Sequence, residues 1–395
     1  MERMPYQPDA HSLLRRAGGI QLQCGTASEE GLAAARSAID TFFASLELKD
    51  AVMVTPVHTA HTAFFQCHLS DATALNWTPG HDTLDIHHRW TPLKEAETEE
   101  AAHKALDREI VVALLASPLA FDFSDLEALA SSIRVRRFMV EAARKTALAF
   151  NTAAAERPEA FWRYEEDRGF VLQPGQSLIC ALISATQPEI TGKLYDFSCY
   201  RATEYVILLG IAQEAQRSNP ALFHALQHRN EVHAIRSGLF HDVFLVEYGS
   251  MDHPLPSHYY VPGDRLWFRN PDERSSDITG YEGSWVIYMG KGLFSNFWQQ
   301  NKPYTLVNKC VEIYHWRDGV YVDDQGQLQM DEKRVETLVE KTLNDPAALA
   351  HVLERMMRLR EPQGVYAQGG CIDSTREHPK QVNASSCDLV LPPWP

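Results

Sequence analysis

Cys199 is the residue most clearly placed to do covalent chemistry. It sits in YDFSCYRATEYVILLGIA, from Tyr195 to Ala212. A polar lead-in, Asp196-Phe197-Ser198, places the thiol at the head of an apolar run that has no breaker before Ser218-Asn219-Pro220. Val206, Ile207, Leu208, Leu209 and Ile211 leave almost no polar face, a pattern that predicts a buried helix. A thiol at the start of such a helix meets the positive end of the helix dipole and backbone N–H groups with no helical partner. The expected result is a pKa drawn from about 8.5 toward neutrality, giving a thiolate nucleophile. The other reading of the same stretch is an inert core thiol, because free cysteine is among the most buried residue types.

Other chemistry-bearing residues give weaker patterns. His58 and His61, and the pair His87-His88, have no cysteine or carboxylate at a recognised ligand spacing. They read as surface or hydrogen-bonded histidines, and no metal or organic cofactor is expected. Seven scattered cysteines, odd in number and without CxxC spacing, predict unpaired thiols in a reducing cytoplasm. A net charge of −15 and a pI of about 5.6 argue against a sequence-independent nucleic-acid binder. RVRR at Arg134–Arg137 is short and lies in a helical pattern. No window has the length of a signal-peptide core or a membrane span, so no membrane partner is expected. The sequence carries no signature of an oligomeric state.

The elements that must position Cys199 follow from pattern and punctuation. The 395 residues, 45% apolar with eight Trp, are enough for one large domain with additions or for two. Residues 1–19 read as a poorly ordered lead-in, and Ile20–Cys24 as a short apolar run. Ser28 caps a helix to Leu46, and strands follow at Ala51–Val57 and Thr62–Leu69. Helices are expected over Lys94–Leu115, from a Ser124 cap with Glu127 to about Phe150, and over Ser177–Thr186. A hairpin at Trp162–Gln173 turns at Asp167-Arg168-Gly169. Beyond Pro220 the aromatic and β-branched runs Val243–Tyr248, Arg265–Arg269, Ser284–Met289, Thr305–Val307 and Val311–Trp316 read as strands. A helical block over Asp331–Leu359, broken at Pro346, precedes a partly ordered tail. Helices, a cysteine-bearing helix and then an antiparallel sheet make an α+β layout.

This order of parts resembles the small bacterial protein-glutamine γ-glutamyltransferases, the spore-coat type of transglutaminase. The similarity runs from about Ala105 to Arg360, through LLASPLAFDFSDLEALASSIRVRRFMVEAARKTAL, AFWRYEEDRGFVLQPGQSLICALI, YDFSCYRATEYVILLGIA, VPGDRLWFRNPD and SWVIYMG. GDRLWF, then a strand ending VIYMG and a following LFSNF, is also similar to the second half of papain-like bacterial cell-wall cysteine peptidases. The resemblance implies a papain-like core at 105–362, an N-terminal α/β extension at 1–104 and a tail at 363–395. It also implies thiol acyl transfer. Cys199 would attack a glutamine γ-carboxamide, release ammonia and form a thioester that a primary amine, typically lysine, resolves. The partners would then be proteins or peptides bearing glutamine and lysine, or small amines.

The chain departs from the family at three places. The glutamate that directly precedes the family nucleophile is Ser198 here; the base position aligns with Ser284, and the third position, a family histidine, with Asn296. Serine is no base near neutral pH, whereas Asn296 could orient a partner. Glu282, two residues before Ser284, would share its face if the strand starts that early, and then becomes the expected base. Its alternative is a solvated loop glutamate. Histidines 224, 228, 233, 241, 253 and 258 fall between nucleophile and base strand, and His258 in SHYYVPGD is the one expected nearest the sheet. Three functions follow: an active isopeptide-forming acyltransferase, a catalytically degenerate binding or scaffold protein, and an amide-forming enzyme on small-molecule or carrier-bound acyl groups.

Overall fold

The computed structural model describes residues 18–24, 28–58, 63–77, 81–90, 98–150, 155–235, 237–361 and 369–392. The expected lead-in up to residue 17, His61, and residues 363–368 and 393–395 of the expected tail lie outside the described residues. Four strands build a first sheet: β1 (Gly19–Cys24), β2 (Val52–His58), β3 (Ala63–Leu69) and β4 (Ala120–Phe123), in the order β2-β3-β1-β4. On β3, Ala63, Phe65, Cys67 and Leu69 are buried and alternate with half-buried residues, so one face turns to the core. Helix α1 (Glu29–Ser45) starts where Ser28 Oγ accepts from the Gly31 N–H, as a capping serine should.

Helix α2 (Glu99–Leu115) is buried continuously from Glu109 to Leu115. The expected boundary at residue 104 falls inside it. β4, from beyond that boundary, pairs in parallel with β1, and one apolar cluster runs from Ile20 and Phe65 through Val112 to Leu208. The N-terminal stretch and the region after it therefore share both a sheet and a core.

Helix α3 (Leu126–Lys145) opens at Asp125, one residue later than the expected Ser124 cap; the Asp125 carboxylate accepts from the Ala128 N–H at 2.7 Å. The RVRR motif lies on this helix and its charges turn inward. Arg134 forks onto Glu214, Arg136 onto Asp264 at 2.8 Å, and Arg137 onto Asp107 at 2.7 Å. Asp264 also accepts from Tyr248 Oη and the Val261 N–H. Gly263 before it has φ +88, and a Cβ there would lie 2.8 Å from Arg136 Cβ. The Gly-Asp turn is thus a clamp between α3 and the sheet that starts at Arg265.

Two further helices sit beside α3: α4 (Leu178–Thr186), capped by Ser177, and α5 (Cys199–Ser218). α5 packs against α3 and α4, and its start meets the second sheet. Val206, Ile207, Leu208, Leu209 and Ile211 are all at most 1% exposed; each buried side chain contributes about 1.5–3 kcal/mol. Gly210 sets the spacing, because a Cβ there would meet Met139 Cγ at 2.6 Å. Ser218-Asn219-Pro220 ends α5 as expected. Asn219 then caps the next helix, accepting from the Leu222 N–H, with Pro220 in its first turn.

The second sheet contains β5 (Leu245–Tyr248), β6 (Arg265–Arg269), β7 (Gly283–Ile287) and β8 (Arg376–Pro379), antiparallel throughout, in the order β7-β6-β8-β5. The element order and mixed content make the fold α+β. β8 corrects the expected partly ordered tail, since it lies between β6 and β5. Its sequence, REHP, has no apolar alternation; Glu377 is held inside by Arg265, accepting from its Nε at 2.5 Å. A second correction concerns Val311–Trp316, expected as a strand. It belongs to helix α7 (Leu306–Gly319), capped by Thr305. α7 is buried nearly all round, so no helical period shows and its aromatic and β-branched residues mimic a strand. Helices α8 (Glu332–Leu343) and α9 (Pro346–Met356) pack on α7, either side of the Pro346 break. Before β5 runs the short helix α6 (Ser237–Phe244).

Candidate active site

Cys199 is the first residue of α5, as its sequence context implies. Ser198, in extended backbone, caps the helix by accepting from the Arg201 N–H at 3.3 Å. The serine that stands where the family has a glutamate is therefore occupied as a helix cap. Cys199 is half-buried and faces a cleft of about 370 Å³ between the start of α5, the outer strand β7 and α7–α8. The Trp285 N–H on β7 reaches its sulfur. Cys180, by contrast, is exposed on α4.

The structure brings three of the expected residues into one cleft: Cys199, Ser284 and Asn296. Ser284 is 8% exposed and pairs across the strands with Phe268. Asn296 is held by its own loop. Its Nδ2 donates to Lys302 O at 2.9 Å, and its Oδ1 accepts from the Trp298 and Gln299 N–H groups. One Nδ2 hydrogen and the Oδ1 of the amide are thus engaged within its own loop.

Glu282 does not meet the expectation placed on it. β7 begins at Gly283, and Glu282 is an exposed residue of the preceding turn. Its carboxylate accepts from the Gly280 N–H at 2.9 Å and does not line the cleft. The solvated-loop alternative describes it. His258 is likewise outside the cleft; its carbonyl is tied to the Thr83 N–H at 3.0 Å.

The cleft instead contains charged groups on α7 and α8 that the strand reading of α7 concealed. Lys309 is 2% exposed, donates to Glu312 Oε2 at 2.8 Å and lies with its Nζ 3.4 Å from the Tyr304 ring centroid. Lys309 and Glu312 are three apart on one helix and so share a face. On the far wall Tyr281 donates to Glu332 at 2.6 Å and sets its ring edge-on to Trp316. The available signal was Thr305 followed by Asn308, whose N–H the Thr305 hydroxyl caps.

These neighbours act on the thiol in opposite senses. Burial is the largest influence and pushes the Cys199 thiol up; the Trp285 N–H, the Lys309 ammonium and the Tyr200 N–H pull it down, and the Glu282 carboxylate adds to the rise. The net direction is upward, opposite to the expectation from the helix end alone. Desolvation of the charged form outweighs the dipole here. The same burial, joined by the charge of Glu312 and a hydrogen bond to it, holds the Tyr304 phenol well above its ordinary range. A thiol in this setting rests neutral and needs a proton acceptor to react.

Fold and site together define an α+β protein with a thiol at the head of a buried helix, open to a cleft beside an antiparallel sheet. The family model of the protein-glutamine gamma-glutamyltransferases matches residues 86–381, and the chain belongs to that family. Among solved structures, a transglutaminase from Geobacillus stearothermophilus (without its C-terminal extension) is similar at 18% identity and a TM-score of 0.38. The similarity covers 55% of this chain and 97% of that one. No curated protein matches.

Proposed function

We propose that this chain is a cysteine acyltransferase that joins glutamine side chains to primary amines, on a papain-like arrangement of nucleophile helix and sheet. The observation that carries this reading is the shared cleft of Cys199 and the Lys309–Glu312 pair. Glu312 replaces the absent family base and takes the thiol proton, while the adjacent ammonium of Lys309 stabilises the thiolate that forms. The sulfur attacks the γ-carboxamide carbon, and the C–N bond breaks. The nitrogen leaves as ammonia, carrying the proton returned by Glu312. An amine then attacks the thioester, gives a proton to Glu312 and expels the sulfur, which is reprotonated. The test is incorporation of a fluorescent primary amine into a glutamine-rich protein, with ammonia release measured alongside. Cys199→Ala should abolish both signals and Cys180→Ala should retain them; equal activity in the two variants would overturn the reading.

A second reading, a degenerate member kept as a binding or scaffold protein, is favoured by Asn296, whose amide is engaged by its own loop. It predicts that Cys199→Ala retains full function in cells. A strict requirement for the thiol in that assay would remove it.

A further inference from the structure

Lys309, Glu312, Tyr281, Glu332 and Asn296 of the thiol cleft all have hydrogen-bond partners within the protein. Ser284 lines the same cleft and is nearly buried, yet its hydroxyl has no partner among the described residues. A hydroxyl is both donor and acceptor, and leaving it unmet in a largely desolvated place is unfavourable. Ser284 still touches the cleft, so water or a ligand standing there can meet it.

The strand fixes where that hydroxyl points. Side chains alternate along β7, and residues paired across β6 and β7 share a face. Trp285 pairs with Trp267 on one face, where the two indoles stack with centroids 5.9 Å apart. Ser284 pairs with Phe268 on the other, and Phe268 packs there in one apolar cluster with Cys310 and Val311 of α7. The Ser284 side chain therefore faces the space between the sheet and α7, which holds the thiol cleft. The next backbone N–H in the chain, that of Trp285, reaches the Cys199 sulfur. Ser284 and that N–H belong to one peptide linkage, so hydroxyl and sulfur border the same end of the cleft.

We infer that Ser284 is a catalytic residue of the acyl transfer, its hydroxyl donating to the carbonyl oxygen of the acyl group while the Cys199 sulfur adds to the carbonyl carbon. This inference rests on the acyl-transfer reading proposed above. As the S–C bond forms, the π pair of the carbonyl moves onto oxygen. That oxygen carries negative charge until the C–N bond breaks and the carbonyl re-forms. A donor aimed at it stabilises charge that exists only at that stage, and so lowers the barrier. The same charge returns when the amine adds to the thioester. The Ser284 O–H bond stays intact throughout, and the thiol proton goes to Glu312. A serine that is useless as a base near neutral pH is thus suited to a different task. Glu312 on α7 handles the protons, and Ser284 on β7 handles the oxygen.

The test compares two reactions of the same sulfur in the full chain. Amine incorporation into a glutamine-rich protein builds charge on a carbonyl oxygen; alkylation by iodoacetamide displaces iodide and builds none. In Ser284→Ala, kcat for incorporation should fall by about 10²–10³-fold, the range for losing one such donor, with KM for the amine within about twofold. Alkylation of Cys199, read by peptide mass spectrometry, should keep its wild-type rate. Thermal melts should match the wild type, because the hydroxyl ties nothing within the protein. Ser284→Thr retains the hydroxyl on a side chain that suits a strand and should recover most of kcat. Wild-type incorporation in Ser284→Ala, or no gain in Ser284→Thr over Ser284→Ala, would overturn the assignment while leaving the acyl-transfer reading in place. Alkylation falling in parallel with incorporation would overturn it too, by making Ser284 a support for the thiol. A wild-type chain that incorporates no amine would remove the acyl-transfer reading itself, and this inference with it.

Discussion

The thiol cleft and a second cavity of about 340 Å³, lined by Tyr200, Trp267 and Trp285, are framed by the same helix and the same strand, yet treat charge differently. In the thiol cleft the charged and polar groups come in pairs: Lys309 with Glu312, Tyr281 with Glu332, Asn296 with its own loop. In the second, Arg265 gives its Nε to Glu377 and lies against the Tyr200 and Trp285 rings, while its Nη1 and Nη2 have no hydrogen-bond partner among the described residues. In the first, the pairs leave the thiol as the group that the proposed reaction uses.

The largest expected effect comes from breaking the pairing of the thiol cleft. Glu312→Gln keeps the shape and a hydrogen bond to Lys309 but removes the proton acceptor. Amine incorporation should fall by about 10²–10⁴-fold, the usual range for a general base, while Glu282→Gln stays within about twofold. The reverse ranking in that assay would return the base to Glu282.

Glu109 extends the comparison to a buried acid outside either cavity. It accepts from the Lys291 N–H at 2.7 Å, and burial pushes its carboxyl up to about 7. Because the unfolded carboxyl titrates near 4.3, the folded chain holds more protons between about pH 4.3 and 7. Stability must therefore fall as pH rises through that window and level off above it. Glu109→Gln should remove this slope, worth up to about 4 kcal/mol, in urea melts at pH 4.5 and 7.5. An unchanged slope would show that Glu109 is not its source.

The helix shared by both cavities can be displaced at one point. Gly210→Ala inserts a Cβ against Met139, and overpacking of this kind costs about 1–3 kcal/mol. Because α5 carries Cys199 into the thiol cleft, the variant should melt earlier and lower amine incorporation. Unchanged incorporation would show that the start of α5 is positioned independently of Gly210.

The smallest effect sharpens the account of the thiol itself. Burial pushes Cys199 up, so its alkylation by iodoacetamide in the folded chain should still be climbing at a pH where the same cysteine in urea has levelled off. Peptide mass spectrometry from pH 5 to 10 reads this directly. An earlier plateau in the folded chain would mean that the helix end prevails over desolvation.

Much of the frame was legible because local signals agreed with the tertiary result. Ser28 and Ser177 cap the helices they announce, and the apolar run after Cys199 is buried on every side. The misreadings share a cause. α7 is surrounded by protein, so it shows no amphipathic period, and its Val, Ile, Tyr and Trp look like a strand. β8 is Arg-Glu-His-Pro, and only the contacts of Arg265 and His241 to Glu377 explain how it enters a sheet. The proposed base was hidden by the first error, because Lys309 and Glu312 share a face only if α7 is helical. Cys199 itself was legible from its position, whereas its pKa was not. The dipole is a local property, while desolvation depends on residues nearly a hundred positions away.

The place of β8 also sets an order in time. As the chain leaves the ribosome, α5 and its thiol emerge about 180 residues before Arg376–Pro379. Until then β5 and β6 have no strand between them, and Arg265 lacks Glu377. Domains generally form as units during synthesis, but this sheet must wait for its late insert. The nascent chain thus carries its thiol on an unfinished scaffold until Arg376–Pro379 has been made.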